Sequence, residues 1–230
     1  LILDYDGTLS PFVKNPEDAA PSERLLTLLK EITSDKKNKV VINSGRNHEA
    51  LDRWFPNLEV HFAAEHGAFY KTDGKWHHNI TAKVVWDEEI LEIIHHTIDK
   101  TPRSTLEVKN TTLVWHYRNV DVWLAELREK QLIKALMGPA ARQNLQIVPG
   151  NKIVEIKLPH FNKGSEVKRL LSGKEYDFVL AIGDDTTDKD MFYALPKEGI
   201  SIKVGDFSDA AKYRIPRQTS VIPFFENLIK

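Results

Sequence analysis

Short apolar runs alternate with amphipathic segments along most of the chain, and this alternation most constrains the fold. The runs "KVVIN", "DFVLAIG" and "ISIKVG" have the length and β-branched content of buried strands. The segment "PSERLLTLLKEI" instead places Leu25, Leu28, Leu29 and Ile32 on one helical face, with Ser22 as the N-cap. Strands that alternate with helices are typical of a parallel sheet covered on both faces. The pattern therefore predicts an α/β core.

The middle of the chain follows a different order of elements. A helical segment, "WDEEILEIIHHTID", precedes the strands "STLEVKN" and "TLVWHYR", and a second helix, "DVWLAELREKQLIKALM", precedes "LQIVPG" and "KIVEIKL". A helix and two strands, repeated, is an α+β pattern. We therefore predict that residues 80–158 form a domain inserted into a core made of residues 1–79 and 159–230. Trp115 and Trp123 are expected in the core of this insert.

Composition narrows the class of protein. The chain has 230 residues with a formal net charge of −1, which argues against binding to nucleic acid. It has no apolar run of membrane-spanning length, so no membrane partner is expected. It has no cysteine, which excludes disulfides and thiolate metal sites and is compatible with a cytoplasmic location. The chain starts without Met and inside an apparent strand, so we expect it to be part of a longer protein.

Polar side chains follow several of the predicted core strands. Ligands of an open parallel sheet bind at the carboxyl ends of its strands, so these residues are expected to meet at one edge. The residues at strand ends are Asp4 and Asp6 after "LIL", Ser44, Gly45 and Arg46 after "KVVIN", and Asp184 and Asp185 after "VLAIG". Lys163 opens a predicted helix. Clustered carboxylates repel one another and call for a cation, and oxygen ligands without His or Cys favour Mg²⁺. Ser44, the nearby backbone amides and Lys163 would suit a phosphate.

Four motifs, "DYDGTL", "NSGR", "NKG" and "GDDTTDKDMF", resemble the ordered motifs of the haloacid dehalogenase superfamily of phosphohydrolases. Within it, "LDYDGTLSP", "INSGR", "AEHGAFY" and the insert's "LEVK", "WHYR" and "VEIK" resemble the trehalose-6-phosphate phosphatase family. The resemblance implies a Rossmann-like parallel-sheet core with an α+β cap that determines substrate specificity. Thr186 and Lys189 stand where relatives often carry Arg and Glu, at positions not expected to touch the metal.

The resemblance also implies roles for individual residues. Asp4 would attack phosphorus and form an aspartyl phosphate, while Asp6 would protonate the leaving sugar oxygen and later take a proton from water. Mg²⁺ would be held by the Asp4 carboxylate, the Asp6 backbone carbonyl and Asp184. Ser44 and Lys163 would neutralise charge on the transferred group. The residues expected to orient these groups, without being the main contacts to substrate or metal, are Asp185, Asp188 and Arg46.

Sugar recognition is expected in the cap. Glu107 and Lys109 alternate on one predicted strand, so both should face one side, and Glu155 and Lys157 repeat the arrangement later. Alternating Glu and Lys is more often a solvent-facing ladder of ion pairs, so the family resemblance carries this assignment. The full set of expected substrate-binding residues is Glu107, Lys109, Arg118, Asn151, Lys152, Glu155, His66 and Gly45.

The resemblance predicts Mg²⁺-dependent hydrolysis of trehalose 6-phosphate to trehalose and phosphate. Two alternatives stay open at this point: a phosphatase of another sugar phosphate, such as sucrose phosphate, and a non-catalytic phosphatase-like domain that organises a trehalose synthase complex. Fungal members often lie at the C-terminus of a longer chain with a synthase-like domain, so such a domain, or subunits of a synthesis complex, are expected partners.

Overall fold

A computed structural model describes residues 1–80 and 84–229, and its internal contacts divide the chain into two compact units. The first unit comprises Leu1–Asn79 and Phe161–Lys230, and the second comprises Ile80–His160. Residues 81–83, which belong to the predicted insert, lie outside the described residues.

The first unit is built on a single eight-stranded sheet with the order β12-β11-β10-β1-β2-β3-β4-β5. Its strands are β1 (Ile2–Leu3), β2 (Val41–Asn43), β3 (His61–Ala64), β4 (Phe69–Thr72), β5 (Lys75–His78), β10 (Leu180–Gly183), β11 (Ile200–Val204) and β12 (Tyr213–Ile215). The six strands from β12 to β3 pair in parallel, and β4 and β5 add an antiparallel hairpin. The predicted parallel α/β core is therefore confirmed.

The register of the central strands brings their carboxyl ends together. Ile2 of β1 pairs with Ala181 of β10 on one side and with Val41 of β2 on the other. The backbone N–H of Asp4 continues this ladder by donating to the Ile182 carbonyl at 3.0 Å. The polar residues that follow these three strands consequently lie at one edge of the sheet.

The first unit has five α-helices among the described residues, and the first of them begins after the N-cap that the sequence predicts. They are α1 (Glu23–Ser34), α2 (His48–Trp54), α5 (Lys163–Leu171), α6 (Thr187–Tyr193) and α7 (Val221–Leu228). Ser22 accepts a hydrogen bond from the N–H of Leu25, and the predicted apolar face of α1 is buried. Asn162 and Ser165 form a reciprocal capping box at the start of α5, which fixes where Lys163 begins the helix.

The second unit is an antiparallel four-stranded sheet with the order β6-β7-β9-β8. Its elements are α3 (Glu88–Asp99), β6 (Thr105–Val108), β7 (Thr112–His116), α4 (Val122–Arg142), β8 (Gln146–Gly150) and β9 (Ile153–Lys157). Ile90 and Ile94 of α3 and Leu132 and Leu136 of α4 pack with Trp115 in one apolar core. No helix in the described ranges has both the length and the apolar character needed to cross a membrane.

Of the two tryptophans that were expected in the core of the second unit, one differs from expectation. Trp115 is fully buried, as predicted, whereas Trp123 is 69% exposed, so its assignment to the core was wrong. The buried residues of α4 include Ala125, Leu132 and Leu136. Trp123 lies two residues before Ala125, a turn of about 200° around a helix, which places it on the opposite face.

Candidate active site

A buried ion cluster lies where β1 and β10 end. The Lys163 ammonium donates to Asp4 Oδ1 at 2.5 Å and to Asp188 Oδ1 at 2.7 Å. All three side chains are at most 5% exposed. Asp188 also accepts a hydrogen bond from the backbone N–H of Asp185 through its second oxygen, at 2.9 Å. The predicted nucleophile is therefore held at the end of its strand by the predicted lysine.

Electrostatics in this cluster favour a further cation. Burial, with the nearby carboxylates of Asp188 and Asp184, raises the pKa of Asp4 well above its ordinary value despite Lys163. Burial and Asp188 also raise the pKa of Asp184, to about 6. Burial on its own lowers the pKa of Lys163, but Asp188 and Asp4 outweigh it and raise that pKa above the ordinary lysine value. Lys163 therefore stays charged and offsets only part of the carboxylate charge.

The carboxylates fit a hard metal ion. Asp4, Asp184 and Asp188 each offer one oxygen, and these oxygens lie within 4.8 Å of one another. An all-oxygen set of this kind suits Mg²⁺ or a similar divalent cation better than a soft metal. The grouping differs from the predicted ligands in including Asp188 next to Asp4 and Asp184, whereas the Asp6 backbone carbonyl stays a prediction.

Glycine is needed next to this cluster because Asp184 packs against the backbone of the first loop. Gly7 has φ +84°, and a Cβ atom built there would lie 2.3 Å from Asp184 Oδ2. Any side chain at position 7 would force the Asp184 carboxylate to move. The "DGT" sequence therefore has a steric reason for its glycine.

The Gly7→Ala variant is expected to weaken Mn²⁺ binding at least about tenfold, because it displaces Asp184 from the cluster. Gly74→Ala is a matched control: its φ is +75°, and among the described residues no atom lies within 4 Å of a Cβ built there. Both variants should lose about 1–2 kcal/mol of unfolding free energy from the left-handed backbone. Isothermal titration with Mn²⁺ and urea unfolding would measure the two effects. Equal Mn²⁺ affinities for both variants would contradict the steric argument.

Asp6 is paired with Arg46. Arg46 donates from Nε to Asp6 Oδ2 at 2.8 Å and from its terminal nitrogen to Asp6 Oδ1 at 2.7 Å. The guanidinium also lies 5.0 Å from the ring centroid of Trp54, in cation–π geometry. The pair joins the loop after β1 to the loop after β2. Arg46 was expected to orient other residues of the site, and in the structure it makes two hydrogen bonds to Asp6.

Ser44 lies in a loop that is tied to a second loop. Its side chain is buried and accepts a hydrogen bond from the N–H of Arg46 at 3.1 Å. The N–H groups of His66 and Glu65 donate to the carbonyls of Ser44 and Arg46, at 3.1 and 3.0 Å. Glu65, His66 and Gly67 all have positive φ. This left-handed turn fixes the Ser44–Arg46 loop through its backbone.

Two site residues were missed by the sequence analysis. Thr8 donates from Oγ1 to Asp4 Oδ2 at 2.8 Å, and its hydroxyl lies 3.3 Å from Asp184 Oδ1. Asn43 is fully buried and donates from Nδ2 to the Lys163 carbonyl at 3.2 Å. Thr8 belongs to the quoted "DYDGTL" motif, and Asn43 is a polar residue that ends an apolar strand, so both carried a readable signal.

The remaining supporting residue, Asp185, shapes the turn before α6. Its Oδ1 accepts from the N–H of Thr186 at 2.6 Å, and its own N–H donates to Asp188. Gly45 lies in the Ser44 loop and is half-buried. His66 is 4% exposed within the left-handed turn.

Three of the predicted sugar-binding residues share one face of the second unit's sheet. Glu107 of β6 and Glu155 of β9 both pair with Val114 of the intervening β7, so their side chains point to the same side. Lys109 follows β6 and continues the ladder through an N–H bond to the Thr112 carbonyl. Its ammonium lies 3.7 Å from Glu107 Oε1. Apolar residues of the alternate register, including Trp115, occupy the other face.

The other predicted sugar-binding residues of this unit lie near the turn between β8 and β9. Arg118 donates to the Asn151 carbonyl at 2.7 Å, and the N–H of Tyr117 donates to the Lys152 carbonyl at 3.1 Å. Lys152 has φ +63°. Arg118, Asn151 and Lys152 thus form a group around this turn.

Comparison with known proteins identifies close relatives. The model of the trehalose-phosphatase family matches residues 2–217. The alpha,alpha-trehalose-phosphate synthase [UDP-forming] B of Dictyostelium discoideum is 39% identical over 217 residues, covering 92% of this chain and 28% of that protein. A bifunctional trehalose-6-phosphate synthase/phosphatase of Thermoproteus tenax is 38% identical over 216 residues, covering 94% of this chain and 30% of that protein. The chain thus spans less than a third of these two relatives.

Among solved structures, the C-terminal domain of C. albicans trehalose-6-phosphate phosphatase superposes with a TM-score of 0.91 at 31% identity. The match covers 99% of this chain and 90% of that domain. The match therefore includes residues of both units.

Proposed function

The chain belongs to the trehalose-phosphatase family, and from this premise we propose that it hydrolyses trehalose 6-phosphate to trehalose and phosphate. The observation that carries the proposal is the buried cluster of Asp4, Lys163 and Asp188 at the carboxyl edge of the sheet. A carboxylate held at such an edge by a charged lysine can attack a phosphorus atom and is shielded from bulk water.

The reaction proceeds in two halves on this chain's own residues. Asp4 forms a bond to phosphorus while the bond from phosphorus to the sugar oxygen breaks, and Asp6 gives that oxygen a proton. In the second half, Asp6 takes a proton from a water molecule whose oxygen attacks the phosphorus of the aspartyl phosphate. Phosphate leaves, and Asp4 is restored. Arg46 orients Asp6 through its two hydrogen bonds.

Lys163 offsets negative charge on the transferred group, the Ser44 hydroxyl can donate a hydrogen bond to it, and a divalent cation would offset further charge. Asp4, Asp184 and the Asp6 carbonyl would hold Mg²⁺, with Asp188 close enough to join them or to orient Lys163. When bound, Mg²⁺ supplies electrostatic stabilisation of the developing charge on phosphoryl oxygens. Thr8 fixes the orientation of Asp4 through its hydroxyl, and Asp185 fixes Asp188 through its N–H.

The second unit would recognise the sugar. Glu107, Lys109 and Glu155 present charged groups on one face of the sheet, and charged groups form strong hydrogen bonds with hydroxyls. We include Arg118, Asn151, Lys152, His66 and Gly45 as further substrate-binding residues on the strength of the family resemblance. A synthase-like domain or partner is part of the proposal, because the two relatives described above carry synthase activity in their names. A cytoplasmic location stays a prediction.

The test is phosphate release in the presence of Mg²⁺ from trehalose 6-phosphate, sucrose 6-phosphate, glucose 6-phosphate and an aryl phosphate. We expect kcat/KM for trehalose 6-phosphate to exceed that for each other substrate by about 10²-fold or more. A site whose polar groups hydrogen-bond the hydroxyls of one sugar rejects molecules that leave those groups unpaired. Similar rates for the three sugar phosphates would discard the named substrate but keep the phosphatase. No release from any of the four by a folded domain would favour the scaffold alternative.

The same assay tests the sugar-binding face. Glu155→Gln and Lys109→Met should raise KM for trehalose 6-phosphate and leave turnover of the aryl phosphate unchanged. Lys130→Met, at an exposed position of α4, is the control for loss of a lysine charge in the same unit. If the first two variants match the control, these residues do not bind the sugar.

A further inference from the structure

Lys203 lies next to the carboxylate cluster and has no role in the proposed reaction so far. It is a half-buried residue of β11, paired in register with Gly183, the last residue of β10. Asp184 is the next residue after Gly183. The side chain of Lys203 is therefore within reach of the point where β10 ends and the chain turns toward α6.

The ammonium of Lys203 bonds to the backbone at this point. It donates to the carbonyl of Asp184 and also to the carbonyl of Val204, the latter at 2.7 Å. The Asp184 carbonyl lies beyond the end of β10, where sheet pairing no longer supplies a donor. One ammonium thus joins the ends of two neighbouring strands and fixes the backbone of Asp184.

The carboxylate of Asp184 depends on its backbone for its position. It is half-buried, whereas those of Asp4 and Asp188 are fully buried and bonded to Lys163. Its contact with Thr8 Oγ1, at 3.3 Å, is longer than the 2.8 Å bond that Thr8 makes to Asp4. Contact with Gly7 limits its movement on one side. A backbone anchor therefore has a direct effect on where this carboxylate lies.

We propose that Lys203 is a positioning residue for the divalent cation: by holding the Asp184 backbone, it keeps the Asp184 carboxylate in place to bind the metal. The inference rests on the proposed function, because it concerns the metal site of the same reaction. Outer residues that orient a ligand typically change metal affinity 10–100-fold when removed.

Charge and positioning predict opposite results for this lysine. Removal of a positive charge beside a cation site should strengthen cation binding, because repulsion is lost. Removal of an anchor should weaken it. The chain offers a matched control in Lys189, which lines the same cavity of about 360 Å³ as Lys203 and is also half-buried. Among the described residues, it is Lys203 rather than Lys189 whose ammonium bonds to the Asp184 carbonyl.

The experiment is titration of the domain with Mn²⁺, followed by electron paramagnetic resonance of the free ion, for wild type, Lys203→Met and Lys189→Met. We expect Lys203→Met to bind Mn²⁺ about tenfold more weakly, and Lys189→Met to bind it equally or slightly more tightly. In the phosphatase assay, Lys203→Met should need more Mg²⁺ for half-maximal rate and regain most of kcat at saturation. KM for the sugar phosphate should stay the same.

Equal Mn²⁺ affinity of wild type and Lys203→Met would overturn the inference, as would tighter binding by both variants. A wild-type domain that binds no Mn²⁺ would overturn the proposed metal site itself, so the two failures are distinguishable. Thermal unfolding without metal checks that the variants are folded. If Lys203→Met does not fold, Lys203→Gln is decided by the same criteria, because its shorter amide side chain loses the ammonium and most of its reach.

Discussion

Replacing Asp4 with Asn is expected to lower kcat/KM for trehalose 6-phosphate at least about 10³-fold while the domain stays folded. An amide cannot attack phosphorus, so both halves of the reaction stop at the first bond. The variant changes little in volume, and Lys163 keeps its bond to Asp188. Phosphate release measured on the purified variant, with circular dichroism to confirm folding, gives the answer.

The control for this variant is an Asp→Asn change at another residue near the carboxyl edge of the sheet, one that is not assigned to catalysis. Asp209 is exposed and lines the same cavity as Lys203, so Asp209→Asn removes a similar charge without touching Asp4. We expect it to keep nearly full activity. A folded Asp4→Asn variant that releases phosphate at more than about a tenth of the wild-type rate would exclude Asp4 as the nucleophile.

Replacing Lys163 with Met is expected to remove activity. It should also lower the free energy of unfolding by about 3–5 kcal/mol when a chelator removes metal ions from the solution. The side chain is 4% exposed, and it holds two carboxylates that are 5% and 0% exposed. Without the ammonium, Asp4 and Asp188 would lie buried and close together with uncompensated charge. Urea unfolding in the absence and presence of Mg²⁺ would measure the cost.

Two further variants distinguish the stability lost through the ion cluster from the stability lost by removing any lysine of the helix. Lys168→Met changes an exposed residue of the same helix and should cost less than about 0.5 kcal/mol. Lys163→Met combined with Asp188→Asn should recover part of the loss, because one buried charge is gone. Mg²⁺ should stabilise Lys163→Met more than wild type, because the cation takes over charge balance. A cost for Lys163→Met no greater than for Lys168→Met would show that the cluster contributes little to stability.

The α/β core and the meeting of Asp4, Ser44 and Asp184 at one edge could be predicted, because parallel strands share a direction. Once β1, β2 and β10 are neighbours, their following residues must come together. The pairing of Asp6 with Arg46 could not be predicted in the same way, because it depends on the path of two loops and on side-chain rotamers. The same reason applies to Thr8, whose contact with Asp4 follows from the tight turn at Gly7.

Face assignments within helices were less reliable where hydrophobicity and periodicity disagreed. Trp123 was assigned to the core for its apolar side chain, although the spacing of Ala125, Leu132 and Leu136 turns it outward. Lys109 was placed on the same strand as Glu107, but β6 ends one residue earlier, at Val108. The backbone N–H of Lys109 nevertheless donates to the Thr112 carbonyl of β7, which extends the ladder by one bond. Strand boundaries from sequence carry an error of this size.

The pairing of β1 with β10 has a consequence for how the protein is made. Ile2 lies between Val41 and Ala181, so β1 can pair with β2 early but has to wait for its other neighbour until β10 has been synthesised. Lys163 and Asp188, the buried partners of Asp4, emerge equally late. Contacts this distant in sequence make folding slow and leave strand edges exposed in nascent chains. The side of β1 that pairs with β10 therefore stays unpaired in the nascent chain until residues 180–183 have left the exit tunnel.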